Sequence, residues 1–238
     1  MAISEPVVGI LGGMGPEATV ELMRRIVART PASCDSDHIR CIVDQNGKVP
    51  NRTDAIEGRA PSAGPVLADM ARRLDDYGAD MLCMPCNTAH YYLDDIRAAT
   101  SLPFVDMLEC TAARVRKLFP AAAQAAVLCT PGTRRTGLYE QRLAAVGIEA
   151  VYPSAMEQEI ITSVIAAVKA GNTGEATRAD FQRVMDAVRE RGIPVMIAAC
   201  TELSVICPDK PYVVDALDAL VDTLIARVKG ASENTHGH

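Results

Sequence analysis

The sequence predicts an α/β fold of two similar flavodoxin-like lobes. Each lobe is a parallel sheet, the two are related by an approximate two-fold axis, and a functional cleft lies between them. Three observations predict it. Short apolar runs alternate with segments of helical period along the whole chain, the pattern of parallel strands joined by covering helices. The run Met81-Leu82-Cys83-Met84-Pro85-Cys86-Asn87-Thr88-Ala89-His90 reappears in outline as Val195-Met196-Ile197-Ala198-Ala199-Cys200-Thr201-Glu202-Leu203. The echo continues downstream, where Pro103-Phe104-Val105-Asp106 answers to Pro211-Tyr212-Val213-Val214-Asp215. The copies lie too far apart for a short-period solenoid, so the pattern is that of a duplicated half.

In chain order, Val7-Val8-Gly9-Ile10-Leu11 reads as a buried strand and Gly12-Gly13-Met14-Gly15-Pro16 as a tight turn into a helix, with Pro16 suited to the first helical position. Val20, Met23, Ile26 and Val27 recur on one face of that helix. Strand, glycine turn and helix can bind an anion, but the spacing fails the dinucleotide fingerprint and no Gly-Lys-Ser/Thr follows to make a nucleotide loop. A plain structural turn and a turn that approaches a small acid both remain open.

Ile39-Arg40-Cys41-Ile42-Val43-Asp44 reads as the second strand. The polar run from Gln45 to Thr53 follows its carboxyl end, the side on which open α/β sheets bind ligands. Arg52 in this loop can grip a carboxylate through two parallel hydrogen bonds or be a solvated arginine, and position alone leaves both readings open. Ser62 can cap a helix with apolar positions Val66, Leu67, Met70 and Leu74, and Gly78 can end it. The first cysteine strand follows, then a helix through Tyr91 to Ala99 and a strand around Phe104; the first half closes near Thr100.

The second half repeats the rhythm with a helix from about Met107 to Phe119, the strand Ala125-Ala126-Val127-Leu128-Cys129 and the turn Thr130-Pro131-Gly132-Thr133. After a short strand near Ile148, Ser154 and Glu157 form a capping box for a helix that reaches Lys169 and stops at Gly171. Another helix spans roughly Glu175 to Arg191, ahead of the strand bearing Cys200. The last helix, about Ala216 to Val228, is expected to pack back on the first half. These readings give one lobe of 1–100 with 211–231, carrying Cys86, a second of 101–210, carrying Cys200, and a disordered tail at 232–238.

The chain has 238 residues, long enough to bury a sizeable core, and its 49% hydrophobic content describes a soluble globular protein. A net charge of −6 argues against nucleic-acid and anionic-membrane partners, which need a basic face. With no Trp and 4% aromatics there is no stacking platform for bases. No apolar run approaches the roughly 20 residues of a membrane span. The run from Pro6 to Leu11 is too short for a signal segment and lacks a basic start, so a cytoplasmic location is expected. There the eight cysteines should be reduced. Cys34, Cys41, Cys83, Cys110, Cys129 and Cys207 read as small buried hydrophobes or bystanders.

Cys86 and Cys200 differ from those six by position. A thiol where a strand meets the following helix feels roughly half a positive charge, which lowers its pKa from about 8.5. A buried inert cysteine is the alternative at either position alone. The duplication adds that two lobes related by a two-fold axis would hold both thiols across one cleft. A planar carbanion between them would meet a base on one face and an acid on the other, the geometry of inversion at carbon.

Gly12-Gly13-Met14-Gly15-Pro16-Glu17-Ala18-Thr19, Pro85-Cys86-Asn87-Thr88-Ala89-His90 and Cys200-Thr201-Glu202-Leu203 together resemble the signature stretches of the cofactor-independent aspartate/glutamate racemase superfamily, its aspartate racemase branch most of all. The resemblance runs in order over nearly the whole chain. It implies an amino-acid racemase that uses no pyridoxal phosphate or other cofactor and no metal, with Cys86 serving the D-substrate and Cys200 the L-substrate. It further implies that Asn87, Thr88, Thr130, Thr133 and Thr201 hold the α-carboxylate and amino group, with Met14 and Glu202 also at the substrate. Arg52 and Lys169 match basic positions near the carboxylates of a dicarboxylic amino acid; Lys169 is otherwise an ordinary lysine at a helix C-terminus. A homodimer is also implied.

One departure is the Gly12-Gly13-Met14 start, where dedicated glutamate racemases usually carry an Asp-Ser-Gly type turn. Three other readings compete. Cys83-Met84-Pro85-Cys86 has the spacing of a metal or redox pair, although no second pair accompanies it and Cys83 sits inside the strand pattern. Maleate isomerisation by a nucleophilic cysteine, or another reaction of the superfamily, is a second. A binding protein on the same scaffold is the third.

Overall fold

The computed structural model describes residues 5–233, with strands and helices in the expected alternation. β1 (Val8–Gly12) leads into α1 (Pro16–Arg29), β2 (Cys41–Gln45), a short α2 (Arg52–Ile56) and α3 (Gly64–Asp76). β3 (Met81–Cys83), α4 (Leu93–Ala99) and β4 (Phe104–Val105) complete the first sheet. After α5 (Met107–Leu118) come β5 (Gln124–Leu128), α6 (Pro131–Thr136), α7 (Leu138–Ala144) and β6 (Glu149–Val151). α8 (Ala155–Lys169) and α9 (Glu175–Glu190) precede β7 (Met196–Ala198), α10 (Thr201–Ile206), β8 (Val213–Asp215) and α11 (Ala216–Glu233).

Both sheets are parallel, with strand orders β2-β1-β3-β4 and β6-β5-β7-β8, so the second repeats the first strand for strand. The order reverses between β1 and β3 in one sheet and between β5 and β7 in the other. Such a reversal opens a crevice beyond the carboxyl ends of the strands. The glycine turn and the Cys86 loop flank the first reversal; the Thr130 turn and Cys200 flank the second.

Strand pairing differs from the expected lobe boundaries. Leu82 lies opposite Phe104 and Met196 opposite Val213. Residues 104–105 therefore complete the first sheet, and residues 213–215 complete the second. A two- or three-residue strand carries too little alternation to reveal its sheet from sequence. α11 packs against α1 and α5, reaching back to the first half as expected. The tail expected at 232–238 starts inside α11, which runs to Glu233, and the remainder lies outside the described residues.

Three apolar clusters cover the sheets. The central one joins Val8, Ile10 and Cys83 of the first sheet to Ala125, Val127 and Ile197 of the second, through Leu22 and Ile26 of α1, Val115 of α5 and Leu220 of α11. An outer cluster packs Leu11 and Leu82 under Leu67, Met70 and Leu74 of α3. The other packs Leu128 and Met196 under Ile161 and Val164 of α8 and Phe181 of α9. Neighbours on one strand go to opposite faces, and burial of both faces is why β1, β3, β5 and β7 read as unbroken apolar runs. Each Leu, Ile or Phe fully buried this way contributes roughly 1.5–3 kcal/mol.

Other details depart from expectation. On α1 the buried stripe is Ala18, Leu22, Arg25 and Ile26, while Val20 and Val27 are 61% and 53% exposed. A charged residue occupies the inner face because Arg25 bonds Asp215 at 2.7 Å, Asp218 at 2.6 Å and the Ser204 carbonyl at 2.9 Å. Ser62 is not the cap of α3; its Oγ accepts from the Gly64 amide at 3.2 Å, one residue ahead of the N-cap Ala63. The box at the start of α8 forms, with the Ser154 amide donating to Glu157 Oε2 at 2.7 Å and the Glu157 amide to Ser154 Oγ at 3.4 Å. Among the described residues no helix is long and apolar enough to cross a membrane.

Candidate active site

A narrow cleft of about 30 Å³ lies between the carboxyl ends of the two sheets and gathers most of the expected site residues. Met14, Arg52, Cys86, Asn87 and Thr88 line it from the first half, and Thr130, Lys169, Cys200, Thr201 and Glu202 from the second. Thr133 stands behind this lining. Asn51 and Thr53, from the polar run placed on the ligand side, and Ala199, ahead of Cys200, also line the cleft. Lys169, Thr201 and Glu202 are shared with a wider cavity of about 320 Å³ along Gly15, Pro16 and Ala18.

Two glycines allow close approaches at the cleft, Gly13 within the first half and Gly132 between the halves. Gly13 has φ +91° and packs so tightly on Asn46 that an added Cβ would lie 2.3 Å from its backbone. At Gly132 a Cβ would fall 2.5 Å from Thr53 Oγ1, so the turn after β5 sits directly on α2 of the other half. That short helix went unforeseen. Asn51 caps it by accepting the Asp54 amide at 3.2 Å, a signal present in the sequence in the Asn-x-x-Asp spacing. Arg52 thus starts a helix and is not a loose loop residue. Its Nη1 donates to the Val49 and Pro50 carbonyls at 3.2 and 3.1 Å, leaving a buried Nε without a partner among the described residues.

Cys86 is 7% exposed and follows β3. His90, fully buried, fixes the loop that carries it. The Met107 amide donates to Nε2 at 3.1 Å, so the proton sits on Nδ1, which donates to the Cys86 carbonyl at 2.8 Å. Burial lowers the His90 pKa in spite of Asp106, and its 3.7 Å approach to that carboxylate is no ion pair, since Nε2 is already an acceptor. Cys83 lies in the central cluster and Cys86 in the outer one, on opposite faces of the sheet, which disposes of a paired site at this Cys-x-x-Cys spacing.

Cys200, also 7% exposed, donates from Sγ to Glu202 Oε2 at 2.9 Å. Lys169 Nζ stands 3.8 Å from the other oxygen of Glu202. Burial first, then the Glu202 charge and the hydrogen bond to it, raise the Cys200 pKa well above the ordinary thiol range, with Lys169 opposing. This reverses the expected lowering. α10 has only six residues, and burial of the sulfur together with a full negative charge in contact outweighs its partial positive end.

Three hydroxyls join the halves. Thr88 Oγ1 lies 3.0 Å from Thr130 Oγ1 and 2.8 Å from Thr133 Oγ1, which are themselves 3.1 Å apart. Asn87 is tied across the same boundary, its Oδ1 accepting from the Tyr139 hydroxyl at 2.7 Å. No sequence signal marks Tyr139 as a neighbour of the site, whereas His90 ends the first cysteine run.

Paired thiols at equivalent loops, ringed by hydroxyl, amide and cationic donors, suit proton transfer on a small anionic substrate. Comparison with known proteins gives the family. Residues 11–224 match the family model for Asp/Glu/Hydantoin racemase, and the chain belongs to that family. It is an isomerase of the amino-acid racemase type. The chain is 28% identical to the broad specificity amino-acid racemase RacX of Bacillus subtilis (strain 168) over 203 residues, 84% of this chain and 86% of the relative. The structure of Picrophilus torridus aspartate racemase superposes with a TM-score of 0.84 at 30% identity, covering 94% of each chain. Glutamate racemase from Francisella tularensis subsp. tularensis SCHU S4, solved in complex with D-glutamate, shares the fold with a TM-score of 0.69 at 15% identity, covering 95% of this chain and 81% of its own.

Proposed function

We propose that the protein interconverts L- and D-aspartate, with glutamate as a second substrate, using two thiols and no cofactor. The observation that carries this reading is that Cys86 and Cys200 line one cleft, each following the equivalent strand of its own sheet. One thiolate removes the α-proton, the electron pair stays on a planar α-carbon conjugated with the α-carboxylate, and the opposite thiol delivers its proton to the other face. Turnover exchanges the protonation of the two sulfurs, and solvent or the reverse reaction resets them.

Burial and the contact with Glu202 keep the proton on Cys200 in the resting protein. Cys86 is then the base of the first half-reaction, which takes the D form. Arg52 and Lys169, one from each half, supply two cations for a substrate with two carboxylates. Asn87, Thr88, Thr130 and Thr201 hold the α-carboxylate and amino group, with Thr133 steadying Thr88 and Thr130.

The test is proton NMR of L-aspartate with the reduced protein in deuterated water, no cofactor added, followed by chiral analysis. Loss of the α-proton signal with appearance of D-aspartate is expected. Persistence of the signal for both enantiomers of aspartate and glutamate overturns the acidic-substrate reading. The likeness to a broad-specificity relative makes neutral amino acids the next series to try.

A further inference from the structure

We infer that Tyr139 is a positioning residue that sets the direction of the Asn87 amide in the cleft. Its kinetic consequence rests on the racemase reading above. Tyr139 belongs to α7 in the second half, is fully buried in the central cluster and is absent from the cleft lining. Its hydroxyl nonetheless crosses to the first half and donates to Asn87 Oδ1 at 2.7 Å. Asn87 directly follows Cys86, lines the cleft and is 3% exposed.

The two ends of a carboxamide have nearly the same shape, so only hydrogen bonding decides which faces where. A buried phenol that donates to Oδ1 selects one orientation and turns Nδ2 away from itself. Nδ2 is buried with no partner among the described residues. A buried N–H₂ left open is costly, and a bound anionic group completes it. The hydroxyl therefore aims a donor at the ligand beside Cys86, acting from outside the site. It also makes that donor depend on the approach of the two halves, because hydroxyl and amide come from opposite sides of the boundary.

Tyr139→Phe retains the ring and removes only the hydroxyl. In the otherwise intact chain, kcat/KM for aspartate is expected to fall about fivefold or more, chiefly through KM, as loss of one oriented hydrogen bond implies. In an Asn87→Ala background the same change should alter kcat/KM less than about twofold, because the residue it acts through is gone. A purely structural role predicts the same loss in both backgrounds, and that result would overturn the inference. A second readout needs no substrate. The Asn87 side-chain amide signals in a ¹⁵N–¹H spectrum, identified by their loss in Asn87→Ala, should shift and lose order in Tyr139→Phe. Unchanged signals also overturn it. Should the wild-type protein racemise no amino acid, the racemase reading fails, and the amide signals still decide the role of Tyr139.

Discussion

The Sγ of Cys200 donates to Oε2 of Glu202 at 2.9 Å, whereas the residue in the equivalent place after Cys86 is Thr88, whose hydroxyl faces Thr130 and Thr133. One carboxylate thus makes two similar loops chemically unequal. Glu202→Gln removes the charge that opposes ionisation of Cys200. Each unit by which the thiol pKa falls raises its thiolate fraction about tenfold. Peptide mapping after brief iodoacetamide treatment at neutral pH should show faster labelling of Cys200 in the variant, and equal labelling in both proteins would remove Glu202 from this role.

Cys86→Ala and Cys200→Ala should each lower racemisation by about 10²–10⁴-fold, the usual worth of a positioned acid or base. The remaining thiol can still exchange the α-proton of the enantiomer it faces. Cys200→Ala should wash deuterium into D-aspartate without forming the L form, and Cys86→Ala should do the converse. Full racemisation by either variant sinks the two-base reading.

Arg52 lines the cleft with a buried Nε that has no partner among the described residues, while Nη1 is anchored on its own loop. Lysine keeps the charge but not the planar fork. Loss of a hydrogen bond to a charged group costs about 1.5–3 kcal/mol, so Arg52→Lys should raise KM for aspartate roughly 10- to 150-fold with little change in KM for alanine, if alanine turns over. A parallel rise for both substrates would argue against a carboxylate contact.

His90 gives a pH dependence of stability. Unfolded histidine takes up a proton below about pH 6.5, whereas burial holds the folded ring neutral. Below that pH the unfolded state binds more protons, so stability falls as pH falls, by up to about 1.4 kcal/mol per unit. The groups facing the ring are Asp106 and Arg142. Burial tends to raise the Asp106 pKa, but Arg142 and the helix amides lower it overall, so its own contribution is lost only at more acidic pH. Urea midpoints at pH 7.5 and 5.5 should differ more in the wild type than in His90→Gln; identical differences would rule out this origin.

Much of the architecture was legible because the inner strands of each sheet are buried on both faces, which leaves apolar runs too plain to miss. The repeated cysteine run then located the cleft and most of its lining. What stayed hidden had no local signature. Phe104 and Val213 show their sheets only through pairing with β3 and β7. The inward face of α1 was misread because Arg25, a residue that pattern places outside, is held inside by Asp215 and Asp218. Tyr139 lies 52 positions from Asn87 and meets it only after folding. The Cys200 pKa moves up and not down because burial of the sulfur and the neighbouring carboxylate, neither of which a helix start reveals, outweigh the helix end.

Arg25→Leu should destabilise the protein by about 3 kcal/mol, the lower end for removing one partner of a buried ion pair, because Arg29 still reaches Asp218. Urea denaturation measures this directly. A loss under about 1 kcal/mol would mean that the buried charges are worth no more than surface pairs.

The central cluster draws on both sheets and on α1, α5 and α11 at once. Neither half owns a complete interior: cut from the other, each would expose the inner face of its sheet to water. The duplicated pattern therefore does not make two units that melt one after the other. Heat should take the chain apart in a single cooperative transition, and a fragment ending after β4 should fail to fold by itself.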